Sequence, residues 1–414
     1  MHDLSTLIHP AEAKVPCQSD EQQNDSWASV YVFASVQALS QSGQSIIVIL
    51  SALTGLHLSG EPSLATLPIA LQFVGTMVAA VPVSMLMHRV GRRTGFTVGQ
   101  IVGLIAAIVA TFSIMLESFW LFTLTGFLFG IHNAAWQHLR FAAAETVCES
   151  KRARAVSRVV LGGIVSAFIG PYIALQSAEI LPDALNAGGY MAIAVLCMTN
   201  AILVQFAKFN SPNQSIGSRG ALPITTLFAR DGFVLAVVAA TVGVGVMVGL
   251  MTATPLAMAH AHKEFHTITF VIQWHIVGMY APSIFTGKII DRIGIMPVIG
   301  IGLVFDLLAI FIHALGDALG FFWIGLFLLG FGWNFLFVGG TTLLTKITND
   351  ENRERAQSIN ELAVFTAAAL GSLLSGAVLA RFGWANLNLV MCAALAILAM
   401  TLLLKWKSTK ASLR

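Results

Sequence analysis

The sequence predicts an all-helical integral membrane protein whose twelve transmembrane helices form two pseudo-symmetric six-helix bundles. Three observations carry this. Of the 414 residues, 56% are hydrophobic and only 10% charged, whereas a soluble domain carries about 25% charged residues, so a water-facing surface cannot be assembled from the chain. Apolar stretches long enough to cross a bilayer, roughly 20 residues each, recur along it and leave no room for a large soluble domain. Two short loop patterns also repeat about two hundred residues apart, which is the mark of an internal duplication.

The chain opens with a polar segment, Met1 to Asp25, that contains Glu12, Asp20 and Glu21 and no apolar run. A cleaved signal peptide needs a basic start and an apolar core, so residues 1–26 read as a cytoplasmic tail. Apolar stretches then fall at 27–56, 62–87, 94–115, 118–145, 155–177 and 187–207, and again at 228–258, 266–290, 295–315, 319–346, 356–380 and 384–405. Between the two sets, Ser211 to Gly220 is rich in Ser, Asn and Gly, a composition suited to a flexible linker. The expected organisation is a first bundle over 27–208, a cytoplasmic linker over 209–227, a second bundle over 228–406 and a short cytoplasmic tail over 407–414.

With the N-terminus inside, all but two of the 23 Lys and Arg residues, Lys263 and Arg381, fall on the cytoplasmic side. This bias is what topology in an inner membrane follows, and it supports both the helix count and cytoplasmic termini. The net charge of +3 carries no comparable information and gives no footprint for nucleic acid. The four cysteines at 17, 148, 197 and 392 are scattered without a C-x-x-C pair, so they read as free thiols rather than a disulfide or zinc framework.

The repeated patterns lie in short loops. His88-Arg89-Val90-Gly91 returns as Asp291-Arg292-Ile293-Gly294, and Arg152-Ala153-Arg154-Ala155-Val156-Ser157 returns as Arg353-Glu354-Arg355-Ala356-Gln357-Ser358. With these residues the chain resembles the major facilitator superfamily over essentially its whole length. The family's motif G-x-x-x-D-R-x-G-R-R is matched in its first eight positions by Gly287 to Gly294, including Asp291 and Arg292. The earlier copy, Ser84 to Arg93, keeps Arg89, Gly91, Arg92 and Arg93 but has Ser84 for the first Gly and His88 for Asp. In the family that Asp steadies the outward-facing state. The resemblance therefore implies a conformational latch that His88 makes weaker, or sensitive to pH near the ordinary His value of about 6.5.

The run Gly332-Trp333-Asn334-Phe335-Leu336-Phe337-Val338-Gly339-Gly340-Thr341 is similar to the tenth helix of a bacterial subgroup, some of whose members have been proposed as riboflavin permeases. Gly170-Pro171 resembles the antiporter motif of drug exporters, although Ile173, Ala174 and Leu175 replace the glycines that should follow.

The resemblance implies a central cavity lined by the first, fourth, seventh and tenth helices. Polar side chains facing lipid would cost several kcal/mol each, so polar residues on these helices are expected to face inward. Gln37, Gln41 and Gln44 share one face of the first helix; they either offer amides to a solute or bond neighbouring helices. The fourth helix carries His132, Asn133, Trp136, Gln137 and Arg140, a set suited to a planar or anionic organic solute. Arg140 can instead pair with Glu145 or Glu149 at the helix end. In the second half Thr252 and Thr254, Gln273 and Trp274, and Trp333 and Asn334 are the polar and aromatic candidates. Trp136 and Trp333 occupy equivalent helices and either clamp a flat ring from both sides or serve as packing residues.

An ionisable side chain inside the bilayer is a coupling candidate, and His132, His275, Asp306 and Glu361 qualify. Asp306 lies about 16 Å into its helix, near the bilayer centre, and Glu361 has a competing role as a partner of Arg353 or Arg355. His260, His262, Glu264 and His266 crowd one outer loop, where metal capture competes with simple solvation; no resident metal or cofactor is expected. Without a G-x-x-x-x-G-K-[ST] loop ATP is not the energy source, and no nucleophile with its base suggests an enzyme. The expected activity is alternating-access transport of a small organic solute by a monomer, as proton-coupled uptake. Proton-antiport efflux of drugs or metabolites, uptake of a siderophore or other metal chelate, and a receptor that binds without transporting remain the alternatives.

Overall fold

The computed structural model describes residues 26–148, 151–178, 180–181, 184–209, 227–228, 230–348 and 350–412. The tail with Cys17 and nearly all of the expected linker lie outside these. Among the described residues the first half comprises α1 (Trp27–Ser59), α2 (Leu67–Val90), α3 (Arg92–Met115), α4 (Phe119–Trp136), the short α5 (Leu139–Glu145), α6 (Arg152–Ser177) and α7 (Ala187–Leu203). The second comprises α8 (Phe233–His260), α9 (Phe265–Tyr280), α10 (Ser283–Ile293), α11 (Ile295–Ala314), α12 (Leu319–Ile347) and α13 (Asp350–Ser412).

Among the described residues ten helical spans are long and apolar enough to cross a membrane, one of them formed by α9 and α10 together. The longest, α13, is broken at Gly383, whose φ of 78° lies in the left-handed region that glycine enters without steric cost. Trp384 packs on His313 at the end of α11 while Thr409 approaches Gly232 at the start of α8, so the chain doubles back at Gly383 and α13 supplies two legs. α4, an 18-residue helix whose last turns carry the polar His132 and Asn133, is not among the ten. The eighth apolar stretch, expected as one helix, is interrupted at Ala281-Pro282, because proline has no N–H to continue the ladder.

Large apolar side chains point outward on every side, among them Phe112, Tyr172, Phe311 and Leu403, as a lipid-facing surface requires. The two halves pack alike. In the first, α2 lies against α4 and α1 against α6; in the second, α9 lies against α12 and α8 against α13. The closest approaches also correspond: a Cβ at Gly75 of α2 would meet the Phe127 carbonyl, and one at Gly278 of α9 the Phe327 carbonyl, at 2.3 and 2.6 Å. Small residues at such crossings let helix backbones touch where no hydrophobic drive separates protein from lipid. Gly91 and Gly294, the same position in the two loop motifs, adopt nearly the same conformation, with φ 86°, ψ 153° and φ 91°, ψ 166°.

Across the halves, α1 meets α8, α2 meets α13 and α6 meets α9. The chain termini define one face of the molecule. At the far face Ser372 Oγ of α13 donates to the Thr66 carbonyl at the head of α2, at 3.5 Å, and Gly376 packs on the same threonine. Residues 46–50 of α1 and 246–258 of α8 are buried almost throughout and belong to one apolar core shared by both halves. Toward the termini face the first half has a separate core of its own around Phe33, Phe96 and Leu139. The halves are thus closed against each other at the far face.

Candidate functional site

The break after α9 places Tyr280 where the halves meet. Gln37 Nε2 donates to Gln41 Oε1 at 3.1 Å, and Gln41 in turn donates through Nε2 to the Tyr280 hydroxyl, joining α1 to α9. The Tyr280 ring lies over Gly163 of α6, where a Cβ would come within 2.8 Å of it, so only glycine admits the ring there. On its other side Tyr280 meets Trp333 edge-on at 6.2 Å, and Trp333 stacks on Phe337 at 5.3 Å and 8°. Trp333 Nε1 is buried without a hydrogen-bond partner.

Charge completes this group. Arg140 of α5 interacts electrostatically with Tyr280 and with Glu361 of α13, and its Nε is buried with no hydrogen-bond partner. Arg140 does not pair with Glu145, which is held by Arg92; Glu149 lies outside the described residues. Glu361 faces across the interface to Arg140, which places it in the same group. The assembled side chains are therefore two amides, a phenol, a stacked Trp–Phe pair and an opposed guanidinium and carboxylate, contributed by both halves.

Several residues singled out from sequence lie elsewhere. Gln44 turns into the first half and accepts from Gln72. His132 Nδ1 donates to the Gly99 carbonyl at 3.0 Å, and Asn133 Nδ2 donates to Thr76 Oγ1 at 3.2 Å, so both tie helices within the first half. Trp136 lines a void between α1, α4 and α7 with Ser40, Gln44, His132 and Asn200. It packs within the first half, and the aromatic residue beside Trp333 is Tyr280. Gln137 caps the end of α4.

In the second half Asn334 donates from Nδ2 to the Met279 carbonyl at 2.7 Å and to Ser283 Oγ at 2.6 Å, and accepts at Oδ1 from Thr286 at 2.8 Å. It splices the α9–α10 break, since a carbonyl left without a partner where a helix is interrupted must find a donor in a neighbouring helix. Trp274 belongs to an aromatic cluster with Phe270, Trp323 and Phe327, in which Phe270 and Trp323 are exposed. That is an outward-facing position, where tryptophan suits the membrane boundary. His275 donates to the Leu326 carbonyl at 2.7 Å, and Asp306 is fully buried against Gly332 with neither oxygen hydrogen-bonded. Of the coupling candidates, Glu361 joins the interface group, while His132, His275 and Asp306 lie inside their own halves.

The loop motif is distributed around the termini face. Arg92 binds Glu145, Arg93 donates to the Ala207 carbonyl at 2.9 Å and its guanidinium lies over Phe209, while His88, Arg89, Asp291 and Arg292 are exposed. A Cβ at Gly287 would meet nothing within 4 Å. In the outer loop His266 Nδ1 lies 3.0 Å from Glu264 on an exposed surface, and among the described residues no three His, Cys, Asp or Glu side chains cluster to hold a metal. Cys197 and Cys392 are free thiols.

The model of the Major Facilitator Superfamily matches residues 33–345 and 250–414. The chain belongs to this superfamily. A riboflavin transporter, RfnT, of Brucella anthropi is 33% identical over 383 residues, covering 92% of this chain and 96% of that protein. An uncharacterized MFS-type transporter of Bacillus subtilis, YdeG, is 28% identical and covers 87% of this chain and 88% of its own length. Among solved structures, a point mutant of the nucleoside transporter NupG superposes with a TM-score of 0.69 at 14% identity, over 90% of this chain and 99% of that one. The human organic anion transporter MFSD10 does so with a TM-score of 0.66 at 12% identity, over 92% and 100%. These last two likenesses concern the fold alone. The chain is accordingly a membrane transporter of the major facilitator superfamily and not an enzyme.

Proposed function

We propose that this transporter takes up a small planar organic solute by alternating access, driven by protons moving in the same direction, with riboflavin the first solute to test. The observation that carries the reading is the group at the meeting of the halves. Tyr280, Trp333 and Phe337 offer ring faces, Gln37 and Gln41 offer amides matched to a heterocycle's edge, and both halves contribute, as a solute that is handed from one access state to the other requires. The similarity to a relative named as a riboflavin transporter supports the same choice. Glu361 is the carboxylate proposed to load and release the proton, with Arg140 as its counter-charge. Cytoplasmic termini and twelve crossings, supported by the Lys and Arg distribution, complete the proposal together with a bacterial inner-membrane location and a monomeric working unit.

The test is uptake of radiolabelled riboflavin into proteoliposomes with an imposed pH gradient. We expect accumulation against the riboflavin gradient when the interior is alkaline, its loss in Tyr280→Ala and Trp333→Ala, and in Glu361→Gln the retention of riboflavin exchange without proton-driven accumulation. No riboflavin binding or exchange by folded wild-type protein would overturn the solute. Stimulation by an acidic interior would overturn the direction and favour efflux.

A further inference from the structure

We propose that a cleft at the termini face, separate from the site between the halves, binds a small inorganic anion in the place where the second copy of the loop motif carries a carboxylate. The cleft is lined by Ser84, Met87 and His88 of α2, Arg92 at the start of α3, and His138 in the turn before α5. His88 and Asp291 each stand at the third residue before the glycines Gly91 and Gly294, whose backbones superpose in conformation. The first copy has therefore exchanged an acid for an imidazole while keeping its bases.

Glu145, beside the cleft, interacts with Arg92, His88 and Arg152 together. Arg140 adds a further positive charge near His138. Arg92 uses its terminal nitrogen on Glu145, but its Nε is buried with no hydrogen-bond partner, and a buried donor left unmade costs about 1–3 kcal/mol. His138 is pushed down to about 4 by burial, and further by Arg92, Arg140 and His88, so at neutral pH it is an uncharged ring with one N–H to give. A hydroxyl, two imidazoles and a guanidinium converging on one accessible cleft form a donor set for chloride or phosphate, and no carboxylate is among the residues that line it.

The experiment is thermal unfolding of the purified full-length transporter at constant ionic strength and pH 7, in sodium gluconate with increasing chloride or phosphate. A ligand that binds only the folded state raises the melting temperature by mass action. We expect a saturable rise of several degrees in one of the two salts. A response to chloride identifies a halide site, and a response to phosphate identifies an oxyanion site. His88→Asp supplies the missing charge covalently and is expected to abolish the response while melting, in gluconate, as high as the wild type does with the anion. His138→Gln is expected to shift half-saturation about tenfold to higher concentration. Identical melting of the wild type in all three salts, or an undiminished response in both variants, would overturn the site.

Discussion

Asn334 separates two roles that its sequence position leaves open, and the separation can be measured. Replacing it with Ala removes two donated hydrogen bonds, to the Met279 carbonyl and Ser283 Oγ, and one accepted from Thr286. Interhelical hydrogen bonds in membrane bundles are worth about 0.6 kcal/mol on average, so the three together contribute about 2 kcal/mol. Asn133, its counterpart on α4, makes one, to Thr76, and its Oδ1 is buried without a partner; Asn133→Ala should cost about 0.6 kcal/mol or less. The assay is equilibrium unfolding of each variant in detergent, followed by solute titration. We expect Asn334→Ala to lose at least three times as much stability as Asn133→Ala, with solute affinity changed only as far as Tyr280 is displaced. An Asn334→Ala protein of wild-type stability whose solute affinity falls tenfold would refute the reasoning and return Asn334 to the binding surface.

Two further outcomes follow from the same structure. A Cβ at position 376 would lie 3.3 Å from Thr66 Cβ, close to the separation a disulfide spans. Oxidation of a Thr66→Cys, Gly376→Cys protein should therefore lock the far face and abolish transport until reductant is added; full transport by the cross-linked protein would show that far-face closure is not part of the cycle. His138 is held at about 4, chiefly by burial, below its ordinary value of about 6.5. Between those values the unfolded chain binds a proton that the folded chain refuses, so stability falls as pH drops from 6.5 towards 4. His138→Gln should flatten that part of the stability profile measured by thermal unfolding, and an unchanged slope would mean that other groups set it.

The fold was legible because it depends on composition and periodicity. Lipid selects apolar helices, short loops keep the basic residues, and the duplicated loop motif appears again as matching backbone at Gly91 and Gly294. The site was legible only in part. Gln37, Gln41 and Trp333 lie on helices expected to line a cavity and gather around Tyr280, whereas Glu361, from a helix not expected to line it, faces Arg140. His132, Asn133, Trp136 and Asn334 lie on those same helices but point into their own bundles, because a polar side chain away from lipid has two inward directions, toward the cavity and toward a neighbouring helix. Sequence spacing identifies the face that avoids lipid and does not separate these two. Tyr280 was missed altogether. One tyrosine near the end of an apolar stretch carries no signal, although Pro282 two residues later marks the interruption that aims it.

That interruption also explains why the site sits where it does. A continuous helix through Pro282 would leave the Gly278 carbonyl without its donor in the membrane interior and press the proline ring against it. The chain instead ends α9 at Tyr280, restarts at Ser283, and gives the Met279 carbonyl to Asn334 of α12. The break is thus held by the same helix that carries Trp333, one residue away from Asn334, so the splice and the aromatic wall move as one body. Tyr280, at the loose end of α9, is bonded instead to Gln41 of the opposite half and lies over Gly163. Any rotation of one half against the other must strain or break the Tyr280–Gln41 bond before it disturbs the Asn334 splice. On the function proposed above, a solute that takes over the amides of Gln37 and Gln41 would release that bond and so couple its binding to the movement of the halves.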